Sequence, residues 1–429
     1  MKKISRREFN RSIGTFGTFT TLKTIGIFPS ILLAAQRHVV VVGGGFGGAT
    51  AAKYLRMMDP HLRVTLVEPI RNYFTCPFSN LLLGSLKTME ELTHNYDKLQ
   101  QKYGIRVIHA SAVKIDGASK KVTLHDGVKL TYDRLILSPG VDMRYDQIEN
   151  YGADDIRDIP HAWKGAKSTL ILHKQLEAMS DGGKVIICPP PLPYRCPPGP
   201  YERASLIAHY LKRFKPRSKI LIFDAKEQFP KQALFSSGWE KLYGHTIEWF
   251  NRSAGGLILK VDSKNMLVET EFGKEKGDVI NIIPAQWAGK IARDSRLVDK
   301  SGWCPVDQLT FESKIQKGIH IIGDSAIAGS MPKSGFSANN QAKITAANII
   351  ALLNEKEVTP TSMANTCYSF LAPGYAISVS AVYQLSGNEL VSVKGSGGVS
   401  SLKAELSVRR AEALYAQGWY ESITNEMFG

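Results

Sequence analysis

One stretch, "RHVVVVGGGFGGATAAKYLRMMDPHLRVTLVEP", limits the fold of this chain more than any other. Val39 to Val42 form a continuous β-branched run, as a strand covered on both faces requires. Gly43, Gly45 and Gly48 follow as G-x-G-x-x-G. The first suits a tight turn, the second lets backbone approach a pyrophosphate, and the third lets a helix pack close to the strand. The helix opens with unpaired N–H groups and a partial positive charge for the phosphates. "RVTLVE" is the next strand, and Glu68 ends it 20 residues beyond Gly48. A carboxylate there accepts ribose hydroxyls and repels a 2′-phosphate. The unit predicts a dinucleotide-binding α/β domain; a glycine-rich turn without a ligand leaves Glu68 unexplained.

Two later segments separate FAD from NAD. "TYDRLILSPG" (Thr131 to Gly140) is a strand ending in a small-residue turn that returns the chain to the cofactor. "GIHIIGD" (Gly318 to Asp324) is a buried strand closing on an aspartate placed to hold a ribityl chain. In this order the three segments resemble the glutathione-reductase-like disulfide oxidoreductases. That resemblance implies FAD at the first site and an inserted second unit that normally binds NAD(P)H.

The insert departs from that pattern. "KVIICPPP" (Lys184 to Pro191) reads as its first strand, but the turn reads "PPPLPYRCPPGP" where glycines are expected. Proline has no N–H to offer a phosphate, and its ring stiffens the residue before it. The insert is therefore expected to keep the fold and to have lost the nicotinamide site. What the loop carries instead is Cys196, on a rigid mount suited to a reactive thiol, with Glu202 six residues on at the helix start.

The other cysteines are Cys76 in "NYFTCPFSNLLLGS", Cys188 inside the apolar strand, Cys304 in "GWCPVD" and Cys367 in "NTCYSFLAPGYAISV". Cys188 reads as a buried inert thiol and Cys304 as structural. Cys76 follows the Glu68 strand, where the chain runs back along the flavin. On the residues alone, Cys196 and Cys367 are equally readable as a plain structural disulfide, Cys76 as a packed free thiol, and Glu202 as a helix N-terminal acid.

"VVVVGGGFGGATAAKYL", "YFTCPFSN", "RCPPGPYERAS", "GWCPVD", "MPKSGFSANNQAK" and "NTCYSFLAPGY" together resemble the flavoprotein subunits of flavocytochrome c sulfide dehydrogenases, along nearly the whole chain. The resemblance implies FAD attached through a thioether to Cys76. It implies a redox-active disulfide between Cys196 and Cys367 beside the flavin, with Glu202 as a nearby carboxylate. It also implies hydrosulfide as substrate and a separate c-type cytochrome as electron acceptor. This chain has no C-x-x-C-H, so haem is expected only on that partner. Ser325 stands where some relatives are expected to carry a cysteine.

The N-terminus, "SRREFNR" followed by a weakly apolar stretch interrupted by Lys23, has the layout of a twin-arginine export signal. The periplasm is the expected destination, and disulfides persist there. No block of basic residues interleaves with aromatics, so the formal net charge of +15 is not read as a nucleic-acid footprint. No metal site and no membrane span in the mature chain are expected. The expected architecture is α/β: residues 1–35 as signal, 36–155 and 281–355 as a Rossmann-like FAD domain, 156–280 as a NAD-like insert, and 356–429 as a C-terminal interface domain. Three rival functions are a sulfide:quinone oxidoreductase, a NAD(P)H-dependent disulfide reductase, and a non-catalytic flavin subunit of a sulfur-oxidising complex.

Overall fold

Every residue of the strand His38–Val42 is buried, so it needs partners on both edges. It has them: Arg63–Val67 on one side and Arg134–Leu137 on the other, both parallel. The computed structural model describes residues 36–429; the expected export signal lies outside them. The first sheet runs Ile319–Ile321, Arg134–Leu137, His38–Val42, Arg63–Val67, Arg106–Ile108, all parallel. The three segments singled out in the sequence are thus adjacent strands, and their carboxyl ends open on one edge. That edge is where ligands bind in open α/β sheets. The helix Phe46–Met58 covers one face of this sheet and packs against the helix Gly335–Leu353.

The insert repeats the plan. Lys184–Cys188 lies between Lys219–Phe223 and Val279–Ile282, with Ile247–Phe250 outermost, again all parallel. Val279–Ile282 straddles residue 280, so the inserted sheet continues past the boundary expected there. The two crossings between the domains, Val141–Arg144 and Ala285–Ala288, pair with each other antiparallel.

The C-terminal piece is a long hairpin, Met363–Ala372 with Tyr375–Ser386, followed by Glu389–Ser392 and the helix Leu406–Phe428. Leu371, Tyr375 and Ile377 join the apolar core of the insert, while Met363 and Tyr383 join that of the first domain. The hairpin therefore spans the two nucleotide-type domains. The helix buries Ala413, Ala416, Tyr420, Ile423 and Met427, and leaves Leu414 and Tyr415 exposed on the outside.

Candidate active site

The carboxyl edge of the first sheet opens into a cleft of about 1070 Å³. At one end lies the glycine turn. Gly43 has φ +98°, and a Cβ there would sit 2.2 Å from the Ser138 carbonyl oxygen, so no other residue fits. A Cβ on Gly48 would lie 1.7 Å from the Gly43 oxygen, which is the close helix packing the motif predicts. Gly45 caps the helix Phe46–Met58, no side chain caps the first turn, and no acid occupies it. Its free N–H groups face the cleft as a ready anion site. Glu68 is buried behind Gly44 and receives N–H bonds from Gly44 (2.7 Å) and Ile70 (2.9 Å). Burial pushes its carboxyl up against those two bonds.

Gly140 and Asp324 line the same cleft. Gly140 has φ +66°, and its carbonyl accepts from the Ser325 hydroxyl at 2.5 Å. The serine at the position expected to carry cysteine in relatives is thus a strut for this turn. Asp324 has a buried carboxylate oxygen, Oδ1, with no hydrogen-bond partner. A buried unpaired acceptor of this kind is costly unless a ligand donor reaches it. An uncapped helix start, a glycine cradle and an orphaned acid along one cleft fit a flavin dinucleotide.

At the other end of the cleft Cys196 and Cys367 meet. Both are free thiols here, hydrogen-bonded to each other, where the sequence resemblance implies a disulfide. Cys76 lines the same cleft. Three parts of the chain converge to make this end. The proline loop holds Cys196 in a left-handed backbone conformation, φ 57°, with its N–H on the Lys333 carbonyl at 2.8 Å. A non-glycine residue in that conformation costs of order 1–3 kcal/mol and persists where the surroundings impose it. Gly199 lets the loop turn tightly into its helix: a Cβ there would meet Trp163 at 2.6 Å and the Cys196 sulfur at 3.0 Å. The hairpin delivers Cys367, and Asn365 two residues earlier accepts from Ser334 Oγ at 2.6 Å at the cap of the helix Gly335–Leu353.

The two thiols are unequal. Cys367 is lowered to about 7, by the Cys196 thiol hydrogen bond first and then by the Lys231 ammonium, while Cys196 is pushed well up by the same partnership and by burial. Lys231 donates to the Cys367 carbonyl (3.1 Å) and to Ser369 Oγ (2.8 Å). Glu202 accepts from the Phe370 N–H (2.9 Å) through Oε1 and from Asn80 Nδ2 (2.8 Å) through Oε2. Burial raises its carboxyl above the ordinary range, against those donors and the nearby cations Lys231 and Arg203. A buried carboxylate with a raised affinity for protons, beside two thiols, is suited to proton transfer.

Three family models match successive parts of the chain. Residues 37–170 match the pyridine nucleotide-disulphide oxidoreductases. Residues 169–284 match the central part of the sulfide dehydrogenase [flavocytochrome c] flavoprotein chain, and residues 359–428 match the flavocytochrome c sulphide dehydrogenase flavin-binding segment. Together these matches support a FAD-dependent sulfide-oxidising flavoprotein. The chain is 24% identical over 325 residues to the mitochondrial sulfide:quinone oxidoreductase of Dictyostelium discoideum, covering 73% of this chain and 70% of that one. A sulfide dehydrogenase [flavocytochrome c] flavoprotein chain of Chlorobaculum thiosulfatiphilum is 68% identical over 44 residues, which are 10% of this chain and 92% of that sequence. The solved sulfide:quinone oxidoreductase of Aquifex aeolicus superposes with a TM-score of 0.70 at 16% identity, covering 91% and 92% of the two chains, which shows the shared fold.

The second nucleotide position of this flavoprotein is filled by its own side chains. Asp224 ends the strand Lys219–Phe223, as Glu68 ends its counterpart, and is fully buried. Its oxygens are taken by Tyr201 (2.5 Å), Trp249 (3.1 Å) and the Lys226 ammonium (2.5 Å). Lys226 also donates to the Pro190 carbonyl (2.8 Å) and lies over the Tyr194 ring. No oxygen of Asp224 is left for a ribose, and the proline loop closes over the lysine. Cys188 is buried and pushed up by desolvation; Cys304 is likewise buried and raised to about 12. Both are inert by position. The sequence reading missed Asn80, Arg203 and Lys231. Asn80 stands four residues after Cys76 and Arg203 one after Glu202, but only the fold links Arg203 through Asn80 to the Glu202 carboxylate.

Proposed function

We propose that this flavoprotein oxidises hydrosulfide in the periplasm and hands the electrons to a c-type cytochrome subunit carrying the haem. The observation that carries the reading is the convergence of Cys196, Cys367 and Glu202 at one end of a FAD cleft, in a chain whose second nucleotide position is occupied by its own side chains. The cytochrome as acceptor is supported by the two flavocytochrome c family models and by the short stretch of high identity. The export route rests on the twin-arginine layout, and the positive net charge favours an anionic substrate and an acidic partner surface.

In this reading Cys196 and Cys367 begin as a disulfide. Hydrosulfide attacks the Cys196 sulfur; a new S–S bond forms as a persulfide, the old one breaks, and Cys367 leaves as a thiolate. The less basic sulfur is the better leaving group, and the Lys231 ammonium beside Cys367 favours its departure as a thiolate. Glu202 takes the proton from hydrogen sulfide or from the persulfide. The Gly43–Gly48 turn, Glu68, Gly140 and Asp324 would hold FAD and Cys76 would link it covalently; the flavin would supply two-electron uptake and the one-electron release that a haem requires.

The test is sulfide-dependent reduction of cytochrome c by Cys367→Ser, with a fall of at least about a hundredfold expected. Wild-type turnover in that variant would remove the disulfide mechanism. A quinone acceptor is the second reading, supported by the sulfide:quinone oxidoreductases that align over most of the chain. Among the described residues no helix is long and apolar enough to cross a membrane. Faster turnover with a short-chain quinone than with cytochrome c would favour this second reading.

A further inference from the structure

Arg203 is the largest fully buried side chain among the described residues, 1% exposed, and no carboxylate there pairs with it. A buried cation with no carboxylate bonded to it is costly, and it persists only where its donors are satisfied. Here they are. Nη1 donates to the His161 carbonyl (3.0 Å) and to Asn281 Oδ1 (2.8 Å), and Nη2 to the Ala162 carbonyl (2.5 Å). Nε donates to Asn80 Oδ1 at 3.1 Å. The Trp163 ring lies against the guanidinium, 4.9 Å from its centre. Asn281 is itself locked, its amide donating to the Pro160 (2.6 Å) and His161 (2.9 Å) carbonyls.

A guanidinium has only donors, so it fixes which end of the Asn80 amide faces it. The oxygen turns to Arg203, and the NH₂ group must turn to the Gly199 carbonyl (3.2 Å) and to Glu202 Oε2 (2.8 Å). Glu202 then has a donor on each oxygen: Asn80 on one and the Phe370 N–H on the other. Donors to both oxygens favour the ionised carboxylate against the burial that disfavours it.

We propose that Arg203 and Asn80 form an oriented pair that keeps Glu202 ionised beside the sulfur pair, making Asn80 a positioning residue that sets the pH at which sulfide oxidation switches on. This rests on the reading of Glu202 as the proton-accepting group. The other charged and titratable groups facing Glu202 are Lys231, Arg203 itself, Cys196 and Cys367. Lys231 and Phe370 approach from elements other than the Asn80 helix, so removal of Asn80 leaves them in place.

Asn80→Asp tests the pair with little change of shape. Its carboxylate still accepts from Arg203, so the buried cation keeps a partner. The donor on Glu202, however, becomes an acceptor of like charge, which disfavours ionisation of Glu202. The acid limb of the kcat profile should move up by about one to two pH units. The ionisation of the substrate is common to variant and wild type and cancels in the comparison. Difference infrared titration should move the carbonyl stretch of the protonated acid in the same direction, the band being assigned by its loss in Glu202→Gln. An unshifted limb and band, with or without lower thermal stability, overturn the proposal and leave Asn80 a packing residue. Glu202→Gln separates the two claims: wild-type turnover there overturns the role of Glu202 itself. If Asn80→Asp does not fold, Asn80→Ala removes the donor without adding charge; a smaller shift in the same direction supports the proposal, and a wild-type limb overturns it.

Discussion

Cys196 and Cys367 are the same residue type a hydrogen bond apart, and the difference between them comes from neighbours that sequence does not place beside them. Lys231 sits at the N-terminal cap of the helix Gln232–Tyr243, in a left-handed conformation, and its ammonium reaches the Cys367 carbonyl. Its charge favours the thiolate, so the lowered Cys367 value of about 7 depends on it as well as on the Cys196 thiol. Lys231→Met removes the cation and raises that thiol. After reduction with dithiothreitol, the pH midpoint for alkylation of Cys367 should rise by roughly one unit, and alkylation at neutral pH should slow several-fold. An unchanged midpoint would show that the Cys196 hydrogen bond alone sets it. At this scale the sequence singled out the two cysteines but not their tuning, because tuning is a matter of distances across the fold.

At the scale of elements, the proline loop does two jobs. It fixes Cys196 in a conformation that few non-glycine residues adopt, and it covers the lysine that neutralises Asp224. The first job was legible from "PPPLPYRCPPGP", since proline stiffens a chain and cannot donate to phosphate. The second was not. A whole helix, Gly199–Phe214, and the strand Lys219–Phe223 separate the loop from Lys226, and nothing in the residues around that lysine marks it as a plug. With both side chains nearly dry, Lys226→Met strands a buried carboxylate and should destabilise the protein by about 3–5 kcal/mol, read by chemical denaturation. The wild-type protein should show no bleaching of its flavin by NADH. Bleaching would mean that the insert opens, and would revive a nicotinamide-dependent reading.

The whole molecule brings the site together through the C-terminal hairpin, which packs into the apolar cores of both nucleotide-type domains and delivers Cys367 to the place where they meet. The helix Leu406–Phe428 follows and sets Trp419 into the cleft wall, stacked 6.2 Å from Phe336. The proposed bond between FAD and Cys76, which lines this cleft, is read on the denatured protein. Denatured wild-type protein should keep a fluorescent flavin band on a gel, and Cys76→Ala should release it. Release from the wild type would remove the thioether.

By itself the sequence determined the two nucleotide-type folds and the loss of glycine from the second turn, because these rest on local rules: β-branched runs, glycine at a crowded turn, proline where N–H groups are needed; the flavin and the roles of the cysteines came from resemblance. Only the tertiary structure decided that Arg203 turns Asn80 toward Glu202, that Lys231 favours one sulfur over the other, and that Asp224 is already spent. Those facts depend on through-space charge and on which end of an amide faces a buried cation, and residues far apart in the chain acquire such relations only when packing brings them within a few ångströms.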